Sequence, residues 1–201
     1  MVMNVACRTV SAPLCIKGDH SDIMFALNTG WIILFAKDNQ EAYDFNIIGL
    51  KVAERVKLPV IVAFDGFFTS HQKKKLLVFE EDNEVKKYVG KYDAEYTAID
   101  TENPVTIGSY MNEPDIINNK YQLRLAMEEA KSVIYDEFEK FAEISERKYN
   151  VVHKYMSDDA DVLFIVLGSA FDTTKEAVDK MRLEGHKVGV ITVQACLLYT
   201  S

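Results

Sequence analysis

The first part of the chain alternates between apolar runs and an amphipathic segment. Val2–Ala6 and Trp31–Ala36 are short apolar runs, and the second is continuous enough to predict a strand buried on both faces. The next segment carries apolar side chains at every third or fourth position, which predicts a helix as far as about Lys57. Another apolar run, Val60–Phe64, follows it. This order predicts a strand–helix–strand unit with a right-handed parallel crossover.

Two polar pairs predict where helices begin. Asp38 precedes the first amphipathic segment and Glu41 lies three residues further on, the spacing of a capping box. Thr173 and Glu176 repeat that spacing and predict the start of a later helix. Gly185 stands where that later helix should end in a left-handed turn.

The rest of the chain contains a long segment without periodicity, a long predicted helix and a second strand–helix–strand pattern. Periodicity fades between residues 69 and 119, which indicates a surface excursion with short elements inside it. Helical spacing then continues over about 120–148. Asp161–Leu167 predicts a buried strand and Lys187–Val193 a further strand, separated by the turn Gly168–Ala170 and the later helix.

Composition and charge exclude several classes of protein. The 201 residues are 48% apolar and 27% charged, which is typical of a globular protein with a buried core. The net charge of -8 disfavours a nucleic-acid partner, and the apolar runs are far too short to span a membrane. Three cysteines without paired spacing favour a reducing compartment, so we expect a cytoplasmic protein.

Several short motifs resemble one known family in order and in approximate spacing. That family is the 2-oxoacid:ferredoxin oxidoreductases, and the resemblance is to the alpha subunits of those that act on pyruvate. It extends from about Met3 to Val193. The motifs are Met3–Pro13, Gly18–Asp22, Thr29–Trp31, Asn39–Ala42, Asp65–Phe67 with Ser70 and His71, Asn103–Thr106, and Gly168 with Ser169.

The resemblance implies an α/β fold and a division of the chain. Residues 1–155 would be the C-terminal part of an incomplete parallel-sheet domain, the pyrimidine-side domain of thiamine enzymes. Residues 156–194 would begin an α/β domain similar to the C-terminal domain of transketolases. Residues 195–201 read as a non-native tail, because Cys196–Ser201 looks like a translated sequencing adapter. The chain would then be an internal fragment of a longer subunit.

The resemblance also implies an activity, cofactors and partners. The family reaction is the oxidative decarboxylation of pyruvate with coenzyme A to acetyl-CoA and CO2, with electrons passed to ferredoxin. Thiamine diphosphate would be shared with a partner subunit, while Mg²⁺ and iron–sulfur clusters would lie on partner subunits or domains. Those partners would be beta-, gamma- and delta-type subunits or fused domains. We expect the fragment to be inactive alone.

Four residues are the sequence-level candidates for the site. Arg8 matches the family's pyruvate-contacting arginine, and a guanidinium is the two-pronged donor that a carboxylate needs. Ile16, Asp19 and His20 are candidates for the substrate or cofactor pocket, although Asp19 would equally serve as a helix cap. No metal site is expected, because the motif at Asp19 lacks the second glycine of the diphosphate motif of thiamine enzymes.

Two other functions stay open at the level of sequence. The chain could belong to an enzyme for another 2-oxoacid, branched-chain or 2-oxoglutarate. It could also be a non-catalytic α/β binding module with an anion crevice at Gly168–Ala170, where a strand meets a helix N-terminus. Adjacency alone does not make Ser70 and His71 a nucleophile–base pair, because neighbouring side chains of an extended segment diverge. We expect a structural or interface role for His71.

Overall fold

The fold is α/β, and the first of its sheets contains three parallel strands. The computed structural model describes residues 1–94, 96–108 and 110–196. Strands β1 (Val2–Cys7), β2 (Ile32–Ala36) and β3 (Val60–Asp65) lie in the order β1-β3-β2 and are parallel. The predicted parallel unit of β2 and β3 is therefore confirmed.

Helices cover both faces of this sheet. They are α1 (Ser21–Met24), α2 (Asn39–Val56), α3 (Asp82–Val89) and α4 (Asp115–Ser145). Alternate residues of β2 point to opposite sides, so that one set packs under α2 and α4 and the other packs near α1. Because both faces are covered, all five residues of β2 are buried. The larger cluster includes Leu34, Phe45, Ile48, Val60, Val62, Met127, Ile134 and Phe138.

A second sheet follows later in the chain. Strands β4 (Val152–Tyr155), β5 (Val162–Val166) and β6 (Val188–Val193) lie in the order β4-β6-β5. β5 is parallel to β6, whereas β4 is antiparallel to it. Helix α5 (Ala170–Leu183) buries Phe171 and Val178 against β6. β4 lies before the predicted domain boundary at residue 155 and already belongs to this sheet.

The first predicted helix start is confirmed, with one difference in its capping. Asp38 accepts a hydrogen bond from the Glu41 N–H at 2.9 Å and α2 begins at the next residue, Asn39. The Glu41 carboxylate returns to the N–H of Lys37, one residue before the expected partner. Lys57 ends the helix in the left-handed conformation.

The second predicted capping box is wrong. α5 begins at Ala170, so Thr173 and Glu176 lie inside the helix. The turn at Gly168, whose φ is +62°, starts the helix early, and the N–H of Ser169 is satisfied by the distant carboxylate of Asp65. The end of the helix agrees with expectation, since Gly185 has φ +90°.

The predicted burial of β5 is also wrong. Its side chains are exposed over most of its length, and Ile165 is 74% exposed. β5 is the outer strand of its sheet as far as the described residues go. A continuous apolar run predicts burial only where other elements cover both faces, and the described residues do not supply that cover.

The last described residues take part in the first sheet. Ala195 and Cys196 form β7, which pairs antiparallel with Leu34 and Ile33 of β2. Their exclusion from the fold as part of a tail is therefore corrected, while their non-native origin stays a prediction. Residues 197–201 lie outside the described residues. Among the described residues, no helix has the length and apolar character needed to cross a membrane.

Candidate functional site

The candidate site lies where β1 and β3 end. Cys7 and Asp65 are partners in the parallel register, and the N–H of Gly66 donates to the Cys7 carbonyl at 2.8 Å. A Cβ on Gly66 would lie 2.5 Å from that carbonyl oxygen, so only glycine allows the two backbones to approach. Arg8 therefore leaves the sheet beside Asp65, at the carboxyl edge where open α/β sheets gather ligands.

Cys7 itself is not a reactive thiol. Burial, and then the charges of Asp22 and Asp65, raises its pKa to about 12. The thiol therefore stays protonated at neutral pH, and the chemistry of this edge falls to its charged side chains.

The first two residues of α1 hold the segment that carries Arg8. The Arg8 N–H donates to Asp22 Oδ2 at 2.9 Å, and the Val10 N–H donates to Ser21 Oγ at 3.0 Å. The other oxygen of Asp22 accepts the N–H of Ile23 at 2.7 Å. These bonds bring the Arg8 motif and the Gly18–Asp22 motif together.

His20 and Asp65 form an ion pair at the end of β3. His20 Nε2 lies 2.6 Å from Asp65 Oδ1, and the two side chains are 22% and 8% exposed. The contact is an ion pair rather than a well-aligned hydrogen bond, because the Nε2–H direction misses the acceptor. The contact with Asp65 raises the pKa of His20 above its ordinary value, although burial opposes this. Burial would raise the pKa of Asp65, but His20 and Ser169 together hold it below its ordinary value.

Asp65 also joins the first sheet to α5. Its Oδ2 accepts the N–H of Ser169, which caps the start of that helix. Gly168 lies so close that a Cβ there would be 2.6 Å from the same oxygen. An internal carboxylate thus occupies the helix N-terminus that the sequence suggested as an anion crevice. A phosphate would have to displace Asp65 from this position.

A cleft of about 520 Å³ opens between these segments. It lies between the end of the first sheet and the start of α5, and is large enough for a small organic acid. Asp19, His20 and Asp65 are its charged side chains. Its lining consists of Gly18, Asp19, His20, Asp65, Phe68, Val166, Leu167, Ser169, Ala170, Thr173 and Thr174.

The four sequence-predicted residues have different surroundings. His20 and Asp19 line the cleft. Arg8 is exposed and is not among the cleft-lining residues, and within the described residues its guanidinium has no hydrogen bond or ion pair. Ile16 is 64% exposed and is not among the cleft-lining residues, so its assignment to the pocket stays a prediction.

Asp19 has the local role that the sequence offered as an alternative. Its Oδ1 accepts the N–H of Ser21, the first residue of α1. The hydrogen bonds from Ser21 hold the pKa of Asp19 below its usual value. Its position at the cleft and its contact with the helix start coexist.

Sequence reasoning missed the importance of Asp65 and of Asp22. Asp65 is the last residue of a buried strand and is followed by Gly66, which signals a polar group held at a crowded strand end. Asp22 belongs to the Gly18–Asp22 motif, but its backbone partner Arg8 is 14 residues away. Loop contacts at that separation leave no periodic pattern.

The side chains of Ser70 and His71 contact each other instead of diverging. Ser70 Oγ lies 2.9 Å from His71 Nδ1. The two residues lie in a tight turn rather than an extended segment, since the N–H groups of Thr69 and Ser70 both donate to the Asp65 carbonyl. Ser70 Oγ also accepts the N–H of Phe67. The pair therefore stabilises the turn that follows β3.

The end of β2 carries a closed polar network instead of an open site. Lys37 Nζ lies 2.6 Å from Glu41 Oε1, and Gln194 Nε2 donates to the same oxygen at 2.6 Å. Burial raises the pKa of Glu41 despite the opposing charge of Lys37. The Glu41 carboxylate has three nitrogen partners, all internal, and the third is the Lys37 N–H at 2.9 Å. This network holds α2 against the residue that follows β6.

The matching family model and two curated relatives all concern enzymes named for pyruvate. The family described as pyruvate flavodoxin/ferredoxin oxidoreductase, thiamine diphosphate-binding, matches residues 1–139. Pyruvate synthase subunit PorA of Thermotoga maritima is 42% identical over 195 residues, which are 96% of this chain and 50% of the relative. PorA of Pyrococcus furiosus is 37% identical over 195 residues, 96% of this chain and 49% of the relative.

More distant relatives bear on the substrate and on the fold. Ketoisovalerate oxidoreductase subunit VorA of Pyrococcus abyssi is 34% identical over 188 residues, 93% of this chain and 47% of the relative. A solved 2-oxoglutarate:ferredoxin oxidoreductase from Magnetococcus marinus has a TM-score of 0.58 at 18% identity and supports the fold. The match covers 96% of this chain and 36% of that one. The chain spans about half the length of the curated relatives it matches.

Proposed function

The chain belongs to the pyruvate flavodoxin/ferredoxin oxidoreductase family, and from that membership we propose that it forms part of the alpha subunit of a pyruvate synthase. In the proposed reaction pyruvate and coenzyme A give acetyl-CoA and CO2, and two electrons pass to ferredoxin. The PorA relatives at 42% and 37% identity support pyruvate over a branched-chain 2-oxoacid, for which the relative is 34% identical. The branched-chain substrate is the second candidate.

The uncommitted guanidinium of Arg8 is the observation that carries the proposal. Three carboxylates surround the end of β1, and each of them already has an internal partner. Asp22 accepts the backbone N–H of Arg8, Asp19 accepts that of Ser21, and Asp65 pairs with His20. No described carboxylate pairs with the Arg8 side chain. It is therefore available to bind the carboxylate of a 2-oxoacid through two parallel hydrogen bonds.

In this proposal Arg8 binds and orients the substrate. Charge-assisted bonds to the carboxylate fix one end of the acid and so direct its keto carbon. The guanidinium stays protonated throughout and transfers no proton, since arginine does not titrate in the physiological range. His20 and Asp65 hold the neighbouring strand end and the start of α5 in place.

The cleft does not fit the diphosphate of thiamine diphosphate. When bound, this cofactor supplies the nucleophilic carbon for decarboxylation. Asp19 and Asp65 line the cleft, and the Ser169 N–H that would suit an anion already bonds to Asp65. The described lining contains no lysine or arginine that would neutralise the charge of a diphosphate. We propose that Mg²⁺ and the diphosphate are held by a partner subunit, as iron–sulfur clusters would be.

Three further assignments belong to the same proposal. Partner subunits and ferredoxin would complete the enzyme, since the relatives are themselves subunits of pyruvate synthases. The domain boundary would lie near residue 155, supported by the second sheet that begins at Val152. A cytoplasmic location is supported by the cysteines Cys7 and Cys15, which are both free thiols.

Replacing Arg8 in the full-length, assembled enzyme tests the proposal. For Arg8→Ala we expect kcat/KM for pyruvate to fall about 10- to 150-fold, the loss of hydrogen bonds to a charged group. The KM for coenzyme A should change less than twofold. Arg8→Lys should recover part of the loss, because lysine keeps the charge but not the two-pronged geometry.

Arg124→Ala is the matched control for this experiment. Arg124 is an exposed arginine that pairs with Glu128 on α4, outside the cleft lining. Its removal should leave both kinetic constants unchanged. Equal losses for pyruvate and coenzyme A in Arg8→Ala would remove Arg8 from the carboxylate site. In the parent enzyme, a higher kcat/KM for 2-ketoisovalerate than for pyruvate would favour the second candidate substrate.

A further inference from the structure

Side chains, rather than the sheet, hold the segment that carries Arg8. The pairing of β1 with β3 ends at Cys7, so the sheet no longer fixes the backbone from Arg8 onward. Its next two anchors are side-chain oxygens: Asp22 Oδ2 for the Arg8 N–H and Ser21 Oγ for the Val10 N–H. Between them, the Thr9 N–H makes a long bond of 3.4 Å to the Lys17 carbonyl.

Asp22 connects this segment to the core. While Oδ2 accepts the Arg8 N–H, Oδ1 accepts the N–H of Ile23. Ile23 is 2% exposed and packs with Ile33 and Phe35 beneath the sheet. Both carboxylate oxygens of Asp22 thus accept backbone N–H groups, one from Arg8 and one from Ile23. The position of the Arg8 backbone is therefore coupled to a buried residue.

Asp22 does not neutralise the Arg8 side chain. A carboxylate that accepts the backbone N–H of an arginine lies close enough to pair with the guanidinium of the same residue. Here both oxygens are engaged by N–H groups, and the Arg8 side chain makes no ion pair with the described residues. Asp22 thus fixes the arginine backbone while its side chain remains open to another anion.

We propose that Asp22 is a positioning residue for Arg8, setting the direction of its guanidinium toward the carboxylate of the 2-oxoacid. This inference rests on the proposed function of Arg8. Without Asp22, the segment must be ordered anew each time substrate binds, and that entropy cost weakens binding. Ser21 assists by holding Val10, two residues beyond Arg8.

Kinetics of the full-length, assembled enzyme test the inference. For Asp22→Ala we expect the KM for pyruvate to rise about 5- to 30-fold, the loss of a charge-assisted bond to a backbone N–H. The KM for coenzyme A should stay within twofold. Asp22→Asn should give a smaller rise, because the amide keeps one acceptor but turns its NH2 group toward the other N–H. Ser21→Ala should raise the KM for pyruvate less than Asp22→Ala does.

A double-mutant cycle separates positioning from general stability. If Asp22 acts through Arg8, adding Asp22→Ala to Arg8→Ala should cause no further rise in the KM for pyruvate. Asp100→Ala is the matched control, since Asp100 is another loop carboxylate that accepts two backbone N–H groups, those of Glu102 and Asn103. It lies outside the cleft lining, so its removal should leave the KM for pyruvate unchanged.

The outcomes distinguish this inference from the proposed function. If Arg8→Ala leaves the KM for pyruvate unchanged, the proposed role of Arg8 fails and the inference with it. If Arg8→Ala raises that KM but neither Asp22 variant does, only the inference is overturned. A full Asp22→Ala effect in the Arg8→Ala background also overturns it. Should Asp22→Ala not assemble, Asp22→Asn and Ser21→Ala carry the same comparison, and an unchanged KM in both refutes the positioning role.

Discussion

The ion pair between His20 and Asp65 gives the chain a stability that depends on pH. The pKa of His20 is raised above its ordinary value of 6.5, so its contribution is complete below 6.5 and is lost as the pH rises through the folded value. The pKa of Asp65 is lowered from 3.8, so its contribution is present above 3.8 and is lost as the pH falls through the folded value. The pair should therefore stabilise the fold most between pH 3.8 and pH 6.5. Replacing His20 by glutamine should remove this dependence.

The geometry sets the size of the effect. The two atoms are 2.6 Å apart, and the side chains are 22% and 8% exposed. An exposed pair contributes about 0–1 kcal/mol, and breaking a buried pair costs about 3–5 kcal/mol. The His20–Asp65 pair is partly buried, and glutamine at position 20 keeps a hydrogen-bond donor. We therefore expect His20→Gln to lower the free energy of unfolding by about 2 kcal/mol, between these two limits. For a chain of this size that is about 4–8 °C in Tm.

Thermal unfolding of the 201-residue chain and of His20→Gln, followed by circular dichroism, measures the effect. At pH 5.5 the variant should unfold at a lower temperature than the parent, and at pH 9 the difference should shrink. His186→Gln is the control, because His186 is exposed and lies 4.0 Å from its nearest carboxylate on Glu184. Other titrating groups are common to both proteins and cancel in the difference. An equal loss of Tm at both pH values would refute the role of the charged pair.

Two further substitutions test the packing around the site and the core. Gly168→Ala should lower the free energy of unfolding by about 2 kcal/mol or more, because φ is +62° and the new Cβ would lie 2.6 Å from Asp65 Oδ2. Urea unfolding measures it, and a change below 0.5 kcal/mol would contradict the close approach. Arg147→Ala should cost about 3–5 kcal/mol, because it strips a two-pronged partner from the fully buried Asp44. Arg147→Lys should recover only part of that loss in the same assay, and full recovery would argue against the two-pronged contact.

The elements of the first sheet could be predicted because local patterns determine them. A continuous apolar run such as Trp31–Ala36 predicts a strand covered on both sides, and β2 is such a strand. Asp38 and Glu41 mark the start of α2 because the capping bond spans only three residues. In each case the deciding interactions lie within one element or between a sheet and its covering helices.

The start of α5 and the exposure of β5 could not be predicted in this way. Ser169 is bound by Asp65, a partner 104 residues away, so the signal at Thr173 was overridden by a contact that no local window contains. Ile165 has the sequence pattern of a core residue, yet its burial depends on elements that pack against it rather than on its own neighbours in the chain. The same limit applies to Asp22, whose role depends on a loop contact with Arg8.

The arrangement of charges at the end of β1 favours an anion in spite of the overall charge. A chain with a net charge of -8 repels a 2-oxoacid at long range, although salt screens that repulsion beyond about 8–10 Å. Close to the site, His20 compensates Asp65, and backbone N–H groups engage the oxygens of Asp22. What remains within reach of a substrate is the guanidinium of Arg8. Selectivity for a carboxylate thus depends on how the neighbouring acids are engaged, and a change that frees any one of them should weaken binding even if Arg8 is untouched.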